Sequence, residues 1–476
     1  MYILKDILSE LKIYKSIILL ALFCLSIHSC SDEQDPPPSK EYILKGPSQS
    51  LIAKQGEKLT DLIFTVKDKD GNPVSGIELI VSDIAGSGSS QFNSEKTDNN
   101  GQLGLNWNLG IEYTQSITIS IKGNPKLNKK LTATVLYKYR IPVSRNDGIE
   151  VSDFDKRNDL DQEQIYNGID KIRSRQFKEM HSVLILIDGQ LQLEEYFSGK
   201  NSNQQLINYD IDTPHEQQSA SKSFRSALIG LAIENGFIEN TSVKLHTFFP
   251  ELQYLKKDGK QNITLEHILT MSSGLQWNEW KDVPNDLSEM YAKPFDQWHL
   301  HVLEKPMAFA PGQKFAYNTG ASIMLNRIIE RATDMTISEF TKQYFMDQTN
   351  SILLENNANL QARKLPRDMA KLGLLYEARG KWKNKKILSE NWINKSLEVH
   401  FDVPEVGAQY GYQWWVRNLN TFQGSYKCHY ASGNGGQFIM IIDELDLVVV
   451  FTGGNFSGGG HAYEMMLNHI LPAFES

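Results

Sequence analysis

Ser219 and Lys222 are the residues of this chain whose types and spacing best suit covalent chemistry. They stand in the sequence Ser219-Ala220-Ser221-Lys222, which reads S-x-x-K and opens an apolar helical pattern. A serine and a lysine three residues apart share one face of a helix. Because the N–H groups and the dipole at a helix N-terminus favour negative charge, a serine there can pass its proton to a neighbouring lysine. The pair could therefore form a nucleophile without a histidine.

The same residues have a simpler interpretation as the start of a helix, because serine is a favoured N-cap residue. The S-x-x-K pattern also occurs at Ser9–Lys12, in a segment that we expect to be removed. His215-Glu216 begins like the zinc motif H-E-x-x-H, but the fifth residue is Ser219, so no metal site is predicted. The choice between a cap and a nucleophile depends on partners elsewhere in the chain.

The composition suits two or three globular domains and excludes some classes of protein. The 476 residues are 40% hydrophobic and carry a net charge of −8, so no nucleic-acid partner is predicted. Lys12 and Lys15 precede an apolar run at 17–27, which is too short to span a bilayer and predicts a signal peptide over residues 1–29.

The predicted signal peptide is followed by Cys30, and the residues around this cysteine resemble those of a lipidation site. Ile27-His28-Ser29-Cys30 resembles a bacterial lipobox, and the acidic run Ser31–Asp35 resembles the export signal of Bacteroidetes-type surface lipoproteins. These resemblances imply lipidation of Cys30 and an anchor in the cell envelope, periplasmic or at the outer-membrane surface of a Gram-negative bacterium. The alternative is a plain secretory signal with an incidental cysteine. Outside the signal peptide and Cys30, the chain has one further cysteine, Cys428. No internal disulfide is therefore predicted, and Cys428 is expected to be a buried thiol.

The chain then divides by composition. Residues 30–41 contain three consecutive prolines and predict a stiff tether. Residues 42–138 alternate strand-like runs with turn signals such as Asp70-Gly71-Asn72-Pro73, which predicts an all-β, Ig-like sandwich. This region resembles bacterial Ig-like domains of surface proteins, and a spacer role is expected. A linker is predicted at 139–155, and the sequence leaves the oligomeric state open.

From residue 156 to 476 the sequence contains both helix and strand patterns. Phe224–Ile233 is almost entirely apolar and predicts a buried helix, which Asn235-Gly236 would end. Phe438–Ile442 and Leu447–Phe451 predict a hairpin near the C-terminus. Strands therefore come from both ends of the region and helices lie between them, with a helical subdomain at about 256–364. This order predicts an α+β domain.

The same region resembles the serine hydrolases of the class C β-lactamase-related superfamily, most of all its branch of 6-aminohexanoate-dimer hydrolases and related esterases. The motifs occur in family order, at Gln218–Phe224, Ile263–Leu275, Pro311–Gly320, Arg367–Gly373, Tyr410–Trp415 and Gly433–Gln437. The resemblance implies a β-lactamase/transpeptidase-like fold, in which helices flank an antiparallel sheet and a helical insert is present. It implies no cofactor.

The resemblance also implies a role for individual residues. Ser219 would attack an ester or amide carbonyl and form an acyl-enzyme. Lys222, with a pKa lowered by burial, would help to remove the proton of Ser219. Tyr317 would act together with Lys222 as general base and would then donate a proton to the leaving group. The N–H groups of Ser219 and Gln437 would hold the oxyanion, and Gly436 would let the backbone approach the substrate. Taken alone, Tyr317 is equally a core tyrosine.

Two positions depart from the family pattern. Thr319 stands where the family often has asparagine, and Asn434 stands where it often has lysine or histidine. A neutral Asn434 provides no fixed cation for the carboxylate of a β-lactam or a D-Ala-D-Ala peptide, which favours an esterase or amidase. Together with Trp415, these residues are the predicted substrate-binding set, although Asn434-Gly435 alone also predicts a turn and Trp415 alone also suits packing.

The leading hypothesis is therefore a lipid-anchored serine hydrolase that acts on a small-molecule or peptide-like ester or amide. A second hypothesis is a catalytically impaired binding or sensor lipoprotein, because the stretch from Phe345 to Arg367 is shorter than in the family. A third is penicillin-binding or β-lactamase activity. A collapsed cleft, or a Ser219 out of reach of Lys222 and Tyr317, would favour the second.

Overall fold

The computed structural model describes residues 41–47, 50–54, 57–85, 88–110, 114–136, 142–280, 283–352, 363–456, 458 and 460–475. The predicted signal peptide, Cys30 and nearly all of the proline-rich tether lie outside these residues, as do residues 353–362 of the stretch before Arg367. Among the helices that are described, none is long and apolar enough to cross a membrane. The chain divides into two compact units, made mainly of residues 58–108 with 116–132 and of residues 133–476.

The N-terminal region consists of strands throughout its described part. They are β1 (Tyr42–Lys45), β2 (Leu51–Lys54), β3 (Lys58–Asp68), β4 (Leu79–Ala85), β5 (Ser89–Phe92), β6 (Gln102–Asn108), β7 (Thr114–Ile121) and β8 (Asn124–Leu136). They form two four-stranded sheets with the orders β1-β3-β6-β5 and β2-β8-β7-β4. In β6, alternate residues Leu103, Leu105 and Trp107 are buried, as the two-residue period of a strand requires. The all-β prediction is confirmed, whereas the Ig-like assignment stays a prediction.

The larger unit is organised around a nine-stranded sheet with the order β18-β19-β20-β21-β22-β23-β10-β11-β9. The strands of this unit are β9 (Glu150–Val151), β10 (Met180–Ile187), β11 (Gln190–Tyr196), β12 (Ser198–Lys200), β13 (Leu206–Asn208), β14 (His215–Glu216), β15 (Arg363–Lys364), β16 (Lys381–Trp382), β17 (Lys385–Lys386), β18 (Phe401–Val403), β19 (Ala408–Tyr410), β20 (Trp415–Asn420), β21 (Ser425–Gly433), β22 (Gln437–Ile442) and β23 (Leu447–Gly453).

This sheet joins the two ends of the unit, as predicted. Strand β10 pairs antiparallel with β23, and Ile185 lies opposite Val449. Strands β22 and β23 form the predicted hairpin. At the far edge, β9 pairs in parallel with β11, so the sheet takes in residues 150–151 of the segment that the sequence predicted as a linker.

Helices occupy most of the chain between the two groups of strands. They are α1 (Gln162–Arg173), α2 (Ser221–Glu234), α3 (Leu245–Phe248), α4 (Leu265–Leu269), α5 (Asp286–Tyr291), α6 (Trp298–Glu304), α7 (Thr319–Thr333), α8 (Ile337–Thr341), α9 (Asp347–Thr349), α10 (Pro366–Glu377), α11 (Glu390–Leu397) and α12 (Ala462–Met465). Helix α2 is buried along nearly its whole length and ends at Asn235, before Gly236 with φ 78°. The predicted buried helix and its cap are therefore confirmed.

The sheet is covered on both faces, because successive side chains of a strand point to opposite sides. Leu184 and Val450 pack into a core with α2, α7 and α10. Ile185 and Val449 pack into a second core with α1 and α12. Full burial of each such side chain contributes roughly 1.5–3 kcal/mol. The two cores hold β20, β21 and β22 rigidly beside the start of α2, where the candidate site lies.

Candidate active site

Ser219 lies in a short 3-10 turn, Gln218–Ala220, immediately before helix α2. The turn makes no side-chain cap, and the residue that caps α2 is Ala220, so Ser219 does not serve as the N-cap that the simpler interpretation predicted. Gln218 has a positive φ of 50°, which is uncommon for a residue with a side chain and tends to occur at functional sites. The hydroxyl of Ser219 therefore does not cap helix α2 and can contact other side chains.

Lys222 is the first of these partners. It lies in the first turn of α2, is 3% exposed, and its Nζ donates a hydrogen bond of 2.8 Å to Ser219 Oγ. Burial lowers the pKa of Lys222 to about 7, the carboxylate of Glu279 opposes this shift, and the Arg225 guanidinium adds to it. An ammonium group loses its proton more easily where water cannot solvate the charge. A substantial fraction of Lys222 is therefore neutral near pH 7 and able to accept a proton.

Tyr317 is the second partner, because its phenol lies in the same cavity wall as Ser219 and interacts with it electrostatically. Lys222 Nζ lies 4.8 Å from the centre of the Tyr317 ring. Burial raises the pKa of Tyr317 above its ordinary value of 10, although the interaction with Ser219 opposes the shift. The phenol therefore stays protonated at neutral pH. These pKa values are compatible with a shared proton transfer in which Lys222 accepts and Tyr317 donates, and the two roles stay predictions.

Aromatic rings surround Tyr317. Trp280 stacks on it with ring centres 5.8 Å apart, and Trp415 stacks on it at 6.0 Å. Ser219 and these three rings line one open cavity of about 910 Å³. A cavity of this size suits a small-molecule ligand. Its other lining residues are Gln313, Lys314, Phe315, Phe401, Asp402, Val403, Pro404, Glu405, Val406, Arg417, Tyr430, Ser432, Gly433, Asn434 and Tyr463.

The glycine-rich turn between β21 and β22 borders this cavity. Gly433 and Asn434 line it, and the Asn434 side chain is exposed there. Gly436, with φ 98°, and Gln437 are not among the lining residues. The Gln437 amide group is directed at strand β23, where its Nε2 donates to the carbonyl of Gly453 at 2.6 Å. The predicted oxyanion role of Gln437 concerns its backbone N–H, and it stays a prediction.

Gly433 sets the distance between this turn and the nucleophile. A Cβ on Gly433 would lie 2.3 Å from the carbonyl oxygen of Gln217 and 3.1 Å from the amide nitrogen of Ala220. Both distances are shorter than van der Waals contact, and both partners are backbone atoms that flank Ser219. The close approach of β21 to the turn carrying Ser219 thus requires glycine.

We expect Gly433→Ala to displace Ser219 while leaving the fold intact. The extra methyl should cost roughly 1–3 kcal/mol in the free energy of unfolding. It should also slow reaction of Ser219 with a fluorophosphonate by roughly 10-fold or more, because small displacements of a reacting group are costly. Urea unfolding and labelling kinetics measure the two effects. Ser425→Ala, at the exposed opposite end of β21, is the control, and equal labelling of both variants would contradict the prediction.

Thr319 has a different environment from the one predicted. It is buried at the start of α7 and is not among the cavity-lining residues. Its N–H donates to Glu279 Oε2 at 3.0 Å, and its hydroxyl donates to Glu279 Oε1. Trp277 Nε1 also donates to Glu279, at 2.6 Å. The structure therefore places Thr319 beside a buried carboxylate, and its predicted role in substrate binding stays a prediction.

Cys428 and Trp414 lie outside the cavity. Cys428 is a buried free thiol, and burial raises its pKa to about 12, so it is unsuited to act as a nucleophile. Trp414 is fully buried in the core. A possible cation site exists in Asp286, Glu289 and His301, whose ligand atoms lie within 4.8 Å of one another. Lys305 already contacts two of them, Asp286 and Glu289 (3.7 Å), and so supplies the positive charge there.

Several cavity residues were not anticipated from the sequence, above all Arg417, Tyr430 and Tyr463. Trp415 and Arg417 are two residues apart in β20, and Tyr430 lies opposite Trp415 in β21. Because residues i and i+2 of a strand share a face, the prediction of Trp415 as a site residue implied Arg417 as well. Tyr463 comes from α12, and no local pattern connects it with the site.

Comparison with known proteins agrees with this architecture. Residues 175–351 match the family described as Beta-lactamase. Similar solved structures include a family VIII carboxylesterase and simvastatin synthase (LovD) from Aspergillus terreus. Each is 14% identical, with 67% of this chain and 98% of the other covered at a TM-score of 0.52. Another is a Bacillus anthracis protein proposed to be a 6-aminohexanoate-dimer hydrolase, with 21% identity, 62% and 78% coverage and a TM-score of 0.50.

No curated protein matches the sequence significantly. The solved structures share too little sequence identity to establish more than the fold. The family match and these structures both concern the larger unit, with its nine-stranded sheet and inserted helices. The C-terminal part of the chain therefore has the β-lactamase/transpeptidase-like fold.

Proposed function

We propose that the chain is a serine hydrolase that cleaves a carboxylic ester or amide through an acyl-enzyme on Ser219. One observation carries this proposal: Lys222 Nζ lies 2.8 Å from Ser219 Oγ in a buried position that lowers the lysine pKa to about 7. The position of Tyr317 supports it, because its ring centre lies 4.8 Å from Lys222 Nζ and it lines the same cavity as Ser219. A buried lysine next to a serine hydroxyl is the arrangement that activates this nucleophile.

The proposed reaction has two halves. In the first, neutral Lys222 takes the proton of Ser219 while Oγ attacks the carbonyl carbon. The bond to the leaving group then breaks, and the leaving group receives the proton from the Lys222 ammonium through the Tyr317 hydroxyl. In the second half, water passes a proton to Lys222 and attacks the acyl-enzyme. The bond between the acyl carbon and Ser219 Oγ then breaks, the acid leaves, and the Lys222 proton returns to Oγ. We further propose that the N–H groups of Ser219 and Gln437 hold the oxyanion.

The substrate class follows from the cavity around Ser219. Asn434 occupies the position where a lysine or histidine would bind a carboxylate close to the scissile bond, and its neutral amide is exposed in the cavity. This favours an ester or amide over a β-lactam or a D-Ala-D-Ala peptide. The similar fold of a carboxylesterase is compatible with that choice. The alternative of a binding or sensor protein loses support, because the cavity is open and includes Ser219.

A fluorophosphonate probe tests the proposal directly. The folded protein should react with about one equivalent of probe, as expected for one activated serine per chain, and peptide mass spectrometry should locate the label on Ser219. Heat-denatured protein is the control, because reactivity depends on the Lys222 contact. Absence of labelling, or a label spread over several serines of the folded protein, would contradict the proposal.

We propose in addition that the mature chain begins at Cys30 and is anchored by lipid in the cell envelope. The argument is the sequence alone, namely the apolar run at 17–27, the lipobox-like residues before Cys30 and the acidic run after it. The proline-rich segment and the strand region would then hold the hydrolase unit away from the membrane.

A further inference from the structure

Arg417 is a cation in the cavity wall whose role the proposed reaction does not explain. It lies on β20, and its Nη2 donates to the carbonyl oxygens of Val406 and Gly407, each at 3.0 Å. Across the part of the chain that the structure describes, no acidic side chain forms an ion pair with it. An arginine carries its charge at every physiological pH, so this charge faces the cavity without a fixed counter-ion.

The guanidinium group is held in place rather than free in solvent. Its central carbon lies 4.7 Å from the centre of the Tyr463 ring and 6.0 Å from that of Tyr430. The two carbonyl contacts use a single nitrogen, so N–H groups of the other nitrogens remain for a ligand. A planar group that is already oriented loses little conformational entropy when it binds a carboxylate through two parallel hydrogen bonds.

Arg417 lies further along the cavity wall than Trp415. Trp415 stacks on Tyr317, which lines the cavity together with Ser219. Arg417 is two residues beyond Trp415 on the same face of β20, which corresponds to roughly 7 Å between these two residues. Aromatic rings line the wall in this region of the cavity. A ligand reaching from Ser219 to Arg417 would thus lay an apolar segment on these rings.

Other charges line the same cavity and belong in the argument. Asp402 and Glu405 come from β18 and the turn after it, and both are exposed. Asp402 already accepts a hydrogen bond of 2.8 Å from Gln409. Lys314 is exposed as well. Exposed charges are screened by water and interact weakly, whereas Arg417 is half-buried between its aromatic neighbours.

We propose that Arg417 determines substrate specificity by binding a carboxylate at the remote end of the acyl group. This inference rests on the proposed function. The preferred substrates are esters or amides whose acyl chain carries an apolar spacer of at least roughly 7 Å before a terminal carboxylate. Such a carboxylate is far from the scissile bond, unlike the one that Asn434 fails to bind.

Two matched 4-nitrophenyl esters test the specificity, namely mono-4-nitrophenyl suberate and its terminal methyl ester. The free acid should have a kcat/KM that is roughly 10- to 100-fold higher, the range expected for a charge-assisted hydrogen bond. Arg417→Gln should remove this preference and leave the methyl ester within roughly threefold of its original rate. Arg417→Lys should restore part of the preference, and Lys314→Gln should keep all of it.

The outcomes separate this inference from the proposed function. If Arg417→Gln lowers kcat/KM equally for both esters and also lowers the free energy of unfolding, Arg417 serves only to hold residues 406–407 in place. That result would overturn the inference. Calorimetry of monomethyl suberate with Ser219→Ala measures binding without turnover. Suppose that Ser219→Ala binds monomethyl suberate, that the double variant Ser219→Ala/Arg417→Gln does not, and that the natural chain is not labelled by fluorophosphonate. These results would support the carboxylate site and contradict the proposed hydrolase activity.

Discussion

Ser219→Ala is expected to abolish fluorophosphonate labelling and to lower ester hydrolysis by at least roughly 10⁴-fold. Removing a nucleophile that acts together with its base costs nearly all of the chemistry, and the remainder comes from oxyanion and substrate binding. The fold should be unchanged, because the Ser219 hydroxyl caps no helix and is only partly buried. Hydrolysis of 4-nitrophenyl esters and intact mass after labelling measure the two effects.

Ser221→Ala is the matched control for this prediction. Ser221 is two residues away, and its hydroxyl donates to the carbonyl of Gln218 at 2.7 Å. It therefore has a structural partner of its own, and the variant should still be labelled at Ser219. Labelling of Ser219→Ala at the rate of the natural chain would show that another residue is the nucleophile.

Lys222→Met is expected to reduce the labelling rate of Ser219 by roughly 10²- to 10⁴-fold, the usual contribution of a general base. Methionine fills a similar volume without a proton acceptor. In the natural chain, kcat/KM should rise as pH increases through about 7, where Lys222 loses its proton. The variant should lack this rise. Labelling within threefold of the natural chain, with the same pH profile, would exclude Lys222 as the base.

The same substitution is expected to increase stability. The Lys222 pKa is about 7 in the folded chain and 10.5 in its ordinary state, so the unfolded chain binds more protons between these values. The free energy of unfolding therefore rises with pH from 7 to 10.5, and burial costs roughly 5 kcal/mol below pH 7. Met removes this cost together with the contact to Ser219. Urea unfolding should show a more stable variant whose stability no longer rises in this window.

Lys364→Met is the control for both effects of Lys222→Met. Lys364 is another buried lysine, with its Nζ 4.8 Å from the centre of the Phe224 ring, and burial lowers its pKa as well. It is not among the residues lining the cavity. Its replacement should leave labelling of Ser219 almost unchanged. If both variants are more stable and only Lys222→Met loses activity, the stability gain comes from removing a buried lysine and the activity loss comes from the role of Lys222 beside Ser219.

The parts of the site that sequence could predict depend on short-range order. Ser219 and Lys222 are three residues apart, so their contact follows from the helix that contains Lys222. Tyr317 was reached only through the family resemblance, because nothing local connects it with Ser219. The sheet built from both ends of the unit was predictable, since the short apolar runs at 183–187, 438–442 and 447–451 adjoin turn residues, which favours strands.

The parts that sequence could not predict depend on contacts between distant segments. Thr319 was predicted as a substrate residue because it takes the place of a family asparagine. Its partner in the structure, Glu279, is 40 positions earlier in the chain and lies outside the motifs used. Tyr317 was expected to act as general base together with Lys222. The burial that lowers the pKa of Lys222 and raises that of Tyr317 comes from elements that are distant in the sequence and pack around both side chains.

The pairing of β10 with β23 has a consequence for when the candidate site can form. Ser182 and Thr452, which are hydrogen-bonded at 2.7 Å, are separated by 270 positions. Contacts between such distant positions form slowly and only after the later segment exists. The glycine turn next to Ser219 also belongs to this last group of strands. During synthesis the surroundings of Ser219 thus stay incomplete until β21, β22 and β23 have been made.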